Sequence, residues 1–187
     1  MENLCKIVLV SIALIAVAYA SQNSGSPVPE SALQLQRSTE QKNKTIVRQM
    51  IKGLSDQNQR DYRQVFDKFY DRDFVQHINL FARAEKTLTL EDCELACGLV
   101  RRAFAGLQYV VEDIIGEGDK VAVRWTIRVK AEERTDSYAK GDKDAQGRKI
   151  LTREISIYRI AKERIVEEWA EGDVQDPFFL QTVTLRK

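Results

Sequence analysis

The single histidine of the chain, His77, follows the apolar pair Phe74-Val75. Imidazole titrates near neutrality, which suits general acid–base work. The alternative for His77 is a hydrogen-bonded structural histidine at a strand end. Asp173 is the second candidate. It follows Gly172 and keeps the parity of Trp169, four residues upstream on the last expected strand. A carboxylate in an apolar pocket has its pKa raised by desolvation and becomes a usable base near pH 7. Gly-Asp is also common turn chemistry, so a plain turn residue competes with the catalytic reading. Glu168 and Glu171 are neighbours able to take the same role, although Glu167-Glu168 reads more simply as a solvated face.

Around these groups stand aromatic residues able to line a ligand cavity: Tyr62, Phe66, Phe104, Trp125 and Trp169. Aromatics at helix and strand spacing are more often plain core. Arg124 and Arg128 share a polar strand face with Thr126 and could grip a carboxylate ligand as a fork. A solvated or dimer-facing surface is the simpler reading. Cys93 and Cys97, four apart on one helical face, read as free, buried, apolar packing residues. Their spacing does not give the torsion that a disulfide needs.

Composition narrows the chemistry further. A site built from several histidines is excluded within one chain, and two cysteines without further nearby ligands make no metal centre. The 29 Lys+Arg and 28 Asp+Glu leave a formal net charge of +1, which supplies no long-range field for nucleic acid or an anionic membrane. At 187 residues and 43% hydrophobic, the chain can bury one core.

The elements that must position these side chains follow from periodicity. Ile46, Val47, Met50, Ile51 and Leu54 fall on one helical face, ended or bent by Gly53 and Ser55-Asp56-Gln57-Asn58. Tyr62, Val65, Phe66, Phe69 and Tyr70 make a second stripe. Thr89 and Asp92 look like a capping box opening a third helix, along which Cys93, Cys97, Val100 and Phe104 repeat. The period then changes to two. Leu107–Ile115, Val121–Val129, Ile150–Ile160 and Arg164–Ala170 read as strands, with a turn at Gly116-Glu117-Gly118-Asp119 and a long charged loop over 131–148. Helices followed by an antiparallel run predict an α+β domain.

The N-terminus reads separately. Lys6 precedes an apolar run, Ile7–Ala20, which is shorter than the roughly 20 residues a bilayer span needs. Its length and the Ala18-Tyr19-Ala20 end fit a signal peptide over residues 1–20, cleaved after Ala20, which implies a secreted or periplasmic protein without a stable membrane span. Residues 21–40 are polar and rich in Ser, Gln and Pro, the composition of a flexible tether. The folded domain is expected over residues 41–187. Asn43-Lys44-Thr45 is a glycosylation sequon.

The chain resembles the SnoaL-like polyketide cyclase (ester cyclase) family of the nuclear-transport-factor-2-like superfamily over about Asn43 to Gln181. The residues that carry the resemblance are Asn43–Met50, Asp73-Phe-Val-Gln-His77, Val111–Thr126, Ile165-Val-Glu-Glu-Trp169 and Asp173. The resemblance implies a cone, with a curved antiparallel sheet wrapped around about three helices and an apolar pocket at the wide end. It implies His77 at the pocket mouth and an acid near Asp173. It also implies intramolecular aldol ring closure without metal or cofactor, and pairing through the outer sheet face. Two readings follow: a cofactor-free acid–base cyclase or isomerase acting on a small carbonyl compound, or a non-catalytic carrier of a small hydrophobic molecule. A module that only makes contacts through its outer sheet face is a third.

Overall fold

A computed structural model describes residues 28–56, 62–80, 86–104, 106–129 and 149–174. The signal segment and the charged 131–148 loop expected from the sequence lie outside the described residues. Three helices are described: α1 (Glu30–Ser55), α2 (Arg63–Phe69) and α3 (Leu90–Ala103). Six strands accompany them: β1 (Tyr70–Leu80), β2 (Lys86–Thr89), β3 (Gln108–Glu117), β4 (Lys120–Val129), β5 (Lys149–Ala161) and β6 (Arg164–Val174). The chain divides into two compact units at Ser38/Thr39, and the second, from Thr39 onward, holds all six described strands.

Two expectations change. Helix α1 begins at Glu30, inside the stretch expected to be tether. Ala32, Leu33, Gln34 and Gln36 are good helix formers, and the Pro29 carbonyl accepts the amides of Ala32 and Leu33. The sheet is also not wholly antiparallel. Its order is β2-β1-β6-β5-β4-β3, and β1 lies parallel to β6 while every other neighbouring pair is antiparallel. Hairpin connections force antiparallel pairing, whereas β1 reaches β6 from the far end of the sequence and escapes that constraint.

The described core lies against one face of this curved sheet. Val47, Met50, Ile51 and Leu54 of α1 meet Val65, Phe66 and Phe69 of α2 and the inward residues Val121, Val123, Trp125 and Ile127 of β4. The helical and two-residue periods therefore bury the stripes they predict. Gly53 does not break α1. A Cβ there would stand 3.1 Å from Val65 Cγ2, so the glycine lets α2 approach closely. Ser55 ties the end of α1 to β3 by accepting the Tyr109 amide at 3.0 Å. The capping box opens α3 as expected, with Thr89 and Asp92 exchanging side-chain and backbone bonds.

The β3–β4 turn is held by α1. Gly118 takes φ of +58°, a left-handed conformation natural to glycine. Its amide donates to Glu40 Oε1 at 3.1 Å, and its carbonyl accepts from Asn43 Nδ2 at 3.1 Å. Asn43 is itself buried.

Candidate functional site

Strand β5 reverses the usual alternation. Thr152, Glu154, Ser156 and Tyr158 point into the protein, while Ile155 and Ile157 point outward and are 53% and 38% exposed. Register then sets the inward neighbours. Ser156 faces Ala170 on β6 and Val123 on β4. Glu154 faces Gly172 and Trp125. Tyr158 faces Glu168 and Val121, and Gln76 of β1 pairs with Glu168 from the other side. Two carboxylates thus lie on the same face of adjacent strands. Ser156 sits two residues from Glu154 along β5 and diagonally from Glu168, a separation that long side chains span.

Both carboxyls are buried, Glu168 at 4% exposure and Glu154 at 9%. The Ser156 hydroxyl donates to Glu154 Oε1 at 3.0 Å and accepts from Trp125 Nε1 at 3.1 Å. Gln76 Nε2 donates to Glu168 Oε2 at 3.0 Å, and the hydroxyls of Ser156 and Tyr158 lie near enough to that carboxyl to favour its charged form. Cys93 Sγ donates to the oxygen of the same Gln76 amide at 3.4 Å, which fixes the amide's orientation. Gly172 completes the setting. A Cβ there would meet Glu154 Cγ at 3.3 Å, so the missing side chain leaves room for the glutamate.

Burial sets the electrostatics. Desolvation, with the nearby Glu168 adding to it, raises Glu154 from 4.5 to about 8, against a lowering by the Ser156 hydrogen bond. Desolvation raises Glu168 to about 7, opposed by the Ser156 and Tyr158 hydroxyls and the Gln76 amide. Carboxyls poised near neutrality in a protein interior are a signature of acid–base sites. Burial raises Tyr62 to about 12 and Cys97 to about 12, and pushes the Cys93 thiol still higher, so these groups stay protonated. Cys93 and Cys97 are free, as the spacing predicts. Among the described residues no group of three or more His, Cys, Asp or Glu could hold a metal ion.

The residues predicted from sequence divide between the two faces. Tyr62, Phe66 and Trp125 are buried in the core and Phe104 packs against it. Tyr62 donates its hydroxyl to the Leu54 carbonyl at 3.0 Å, with the Arg101 guanidinium over its ring. Trp125 stacks on Tyr109. His77, Trp169 and Asp173 lie on the opposite, outer face. His77 is inside β1 rather than at a strand end. It stacks on Trp169 at 5.6 Å and bonds Glu167 Oε1 at 3.0 Å. Lys120 Nζ sits over the other predicted ring, Trp169, at 5.1 Å. Asp173 pairs with Arg153 across the β5–β6 ladder and is exposed. These residues do share a parity, as expected, but on the sheet face away from the helices. Glu167 belongs with them. Burial pulls its carboxyl upward, but bonds from His77 and Arg159 outweigh that and hold it below the ordinary value. Arg124 and Arg128 are outward too, Arg128 paired with Glu112.

Sequence reasoning named Glu168 only as a substitute and passed over Glu154. The available signal was Gly172, whose missing side chain faces Glu154 across one ladder step.

Known proteins place this arrangement in context. IdmH from Streptomyces antibioticus, a candidate polyketide cyclase, is 19% identical, covers 74% of this chain and 97% of its own, and matches with a TM-score of 0.54. A candidate SnoaL-like polyketide cyclase from Jannaschia sp. CCS1 is 14% identical, with coverages of 79% and 95% and a TM-score of 0.53. AclR from Streptomyces galilaeus, a candidate hydroxylase, is 17% identical, with coverages of 79% and 89% and a TM-score of 0.53. At such identities the likeness is one of fold. No curated protein matches the sequence. The SnoaL-like polyketide cyclase family profile matches residues 44–178, a span that holds all six strands. The chain therefore belongs to the SnoaL-like polyketide cyclase family.

Proposed function

We propose that the protein is an acid–base catalyst of the cyclase or isomerase kind, acting on a small, mostly apolar carbonyl compound through Glu154 and Glu168. One observation carries this reading: two buried carboxyls on the same face of adjacent strands, Glu154 held by Ser156 and Glu168 by Gln76, with their pKa values raised to about 8 and about 7. Near neutral pH one is protonated and the other ionised. The ionised group can take a proton from a carbon beside a carbonyl. The protonated group can stabilise the enolate oxygen that forms by a hydrogen bond, keeping its proton. In ring closure the enolate carbon bonds to a second carbonyl carbon of the same molecule, and the resulting alkoxide takes a proton from the acid. Tyr62, Phe66, Phe104 and Trp125 supply the apolar surroundings such a substrate needs.

The test is deuterium incorporation at the α-carbon of a panel of aryl ketones in D2O, read by mass spectrometry. The wild type should accelerate exchange for at least one ketone, and Glu168→Gln should lower that rate by ~10²–10⁴-fold. No acceleration across the panel, or full activity in both Glu154→Gln and Glu168→Gln, overturns the reading.

Export and pairing belong to the same proposal. The apolar run before Ala20 supports cleavage there, and N-terminal sequencing should return Ser21 rather than Met1. Among the described residues no helix is long and apolar enough to cross a membrane. The signal-like segment also favours the second reading, a carrier outside the cytoplasm, which stands if a ketone binds and none is turned over. Ile115, Ile157, Trp169 and His77 align in one outward row across the sheet, which supports a second copy of the chain as its cover.

A further inference from the structure

The two buried glutamates are held by unlike partners. Glu154 Oε1 meets the Ser156 hydroxyl at 3.0 Å. A hydroxyl swivels, so the same serine donates to a carboxylate or accepts from an acid. Trp125 Nε1 takes one lone pair of that oxygen, at 3.1 Å, and leaves the second for such a bond. Ser156 therefore serves both states of Glu154. Glu168 Oε2 meets the Gln76 amide nitrogen at 3.0 Å. Gln76 and Glu168 are direct partners in the parallel β1–β6 ladder, so the register builds this contact. An amide has two unlike ends. Its nitrogen end favours a carboxylate, and its oxygen end favours a carboxylic acid. Cys93 decides which end faces Glu168. Its thiol donates to Gln76 Oε1 at 3.4 Å. Burial keeps the thiol protonated, so the donor stays in place across the neutral range. Turning the amide would set its N–H against sulfur, a weak acceptor, and its oxygen against the carboxylate. Strand β2 and the α3 cap put the sulfur there. Leu88 pairs with Gln76 and Thr89 with Val75, and Thr89 then caps α3 through Asp92, the residue before Cys93.

We propose that Gln76, locked by the Cys93 thiol, makes Glu168 the base of the pair and leaves Glu154 as the acid. The C–H bond beside the substrate carbonyl breaks, its electron pair enters the enolate, and the proton goes to Glu168. Glu154 keeps its own proton and hydrogen-bonds the enolate oxygen. The order of the two raised carboxyls, about 7 for Glu168 and about 8 for Glu154, agrees with this division. Among the described residues, the other titratable groups whose charge would act on Glu168 are Tyr70 on β1, Tyr158 on β5 and Cys93 and Cys97 on α3. Burial holds them protonated and neutral through that range, so their charge does not compete with the Gln76 dipole. Gln76 and Cys93 are thus positioning residues. Neither needs to touch the substrate, and both act through the charge on Glu168.

For its part in turnover this division of roles rests on the acid–base reading above, but the charge bias is measurable without a substrate. The full chain is labelled with ¹³C at the glutamate side-chain carboxyls, and Glu154 and Glu168 are assigned through their Gln variants. In the wild type the lower of the two titration steps should appear mainly at Glu168. Gln76→Leu should raise that step by ~1–2 pH units, the worth of a hydrogen bond to a charged group. Cys93→Ala removes the lock and keeps the amide, and should raise the step by less. Cys93→Ser restores a donor and should bring the step back. With a ketone substrate, the acid limb of the pH–rate profile should move with the step in each variant. A lower step at Glu154 overturns the proposal. So does a Glu168 step unmoved in Gln76→Leu or Cys93→Ala, since a merely structural role would lower the Tm and leave the step in place. A rise in Cys93→Ala that Cys93→Ser fails to reverse overturns it as well. If Gln76→Leu does not fold, the two Cys93 variants decide alone. A lower step at Glu168 in a protein that exchanges no ketone would refute only the catalytic reading. Exchange with the lower step at Glu154 would refute only the division of roles.

Discussion

At the scale of single residues, the site depends on a glycine as much as on its carboxyls. Gly172→Ala would bring a Cβ to 3.3 Å from Glu154 Cγ and 3.4 Å from the Arg153 carbonyl. The backbone cannot retreat within a paired strand, so the glutamate must. The expected result is a loss of about 1–3 kcal/mol in denaturant unfolding, the usual cost of overpacking. It should come with a titration of Glu154 displaced from that of the wild type. The two glutamates were hard to read from sequence for a physical reason. In β5 the isoleucines are the intuitive inward residues, yet Ile155 and Ile157 face out and Glu154 and Ser156 face in. In β6, Trp169 is the largest apolar side chain and suggests the inward parity, but Ala170 and Glu168 hold it. Alternation shows which residues share a face. Where both faces are mixed, it does not show which face is inside.

At the scale of elements, more was legible. The stripe over Val47–Leu54, the alternation over Val121–Val129 and the Thr89/Asp92 cap all appear where composition and spacing put them. Each rests on local rules that hold without knowledge of distant partners. The cap offers a clean check. Thr89→Ala removes the side-chain oxygen that accepts the Asp92 amide and the hydroxyl that donates to Asp92 Oδ2, while the Thr89 backbone amide keeps its bond to that carboxylate. Unfolding free energy should fall by about 1 kcal/mol, and Thr89→Ser should restore most of it. The boundary between α2 and β1 was not legible. Tyr70 continues the aromatic stripe of the helix, yet it is the first residue of a strand and packs tilted against Phe66 and edge-on against Phe74. An apolar stripe that bridges two elements has no break in period to announce the change. The parallel β1–β6 pair was equally hidden, since pairing across such a separation is decided by the assembled sheet.

For the whole molecule, the buried carboxyls couple folding to pH. An unfolded glutamate titrates near 4.5, whereas Glu154 and Glu168 hold their protons to about 8 and about 7 when folded. Between those limits the folded chain binds more protons than the unfolded chain, so stability must fall as pH rises. Its slope is about 1.4 kcal/mol per pH unit for each group that keeps its proton. The contribution is complete below pH 4.5 and gone once the pH passes the folded values. Thermal unfolding across pH 5–8 should therefore show a declining Tm, and Glu154→Gln should flatten the decline. Glu167 acts with the opposite sign and in a lower window. Its carboxyl lies below the ordinary value when folded, so its contribution is present above the unfolded value and lost on acidification.

The grip of α1 on the β3–β4 turn has a consequence for how the chain matures. Asn43 is the acceptor residue of the sequence Asn43-Lys44-Thr45, and its Nδ2 is the atom that donates to the Gly118 carbonyl. A sugar would be joined to that same nitrogen. The residue is buried where its helix meets the hairpin. In a eukaryotic secretory pathway, where sugar transfer meets the chain before it closes, sugar and hairpin would compete for one amide. A chain that won the sugar would lose the clasp, so in such a pathway the sequon, intact as a motif, would be a hazard to folding rather than a site of decoration.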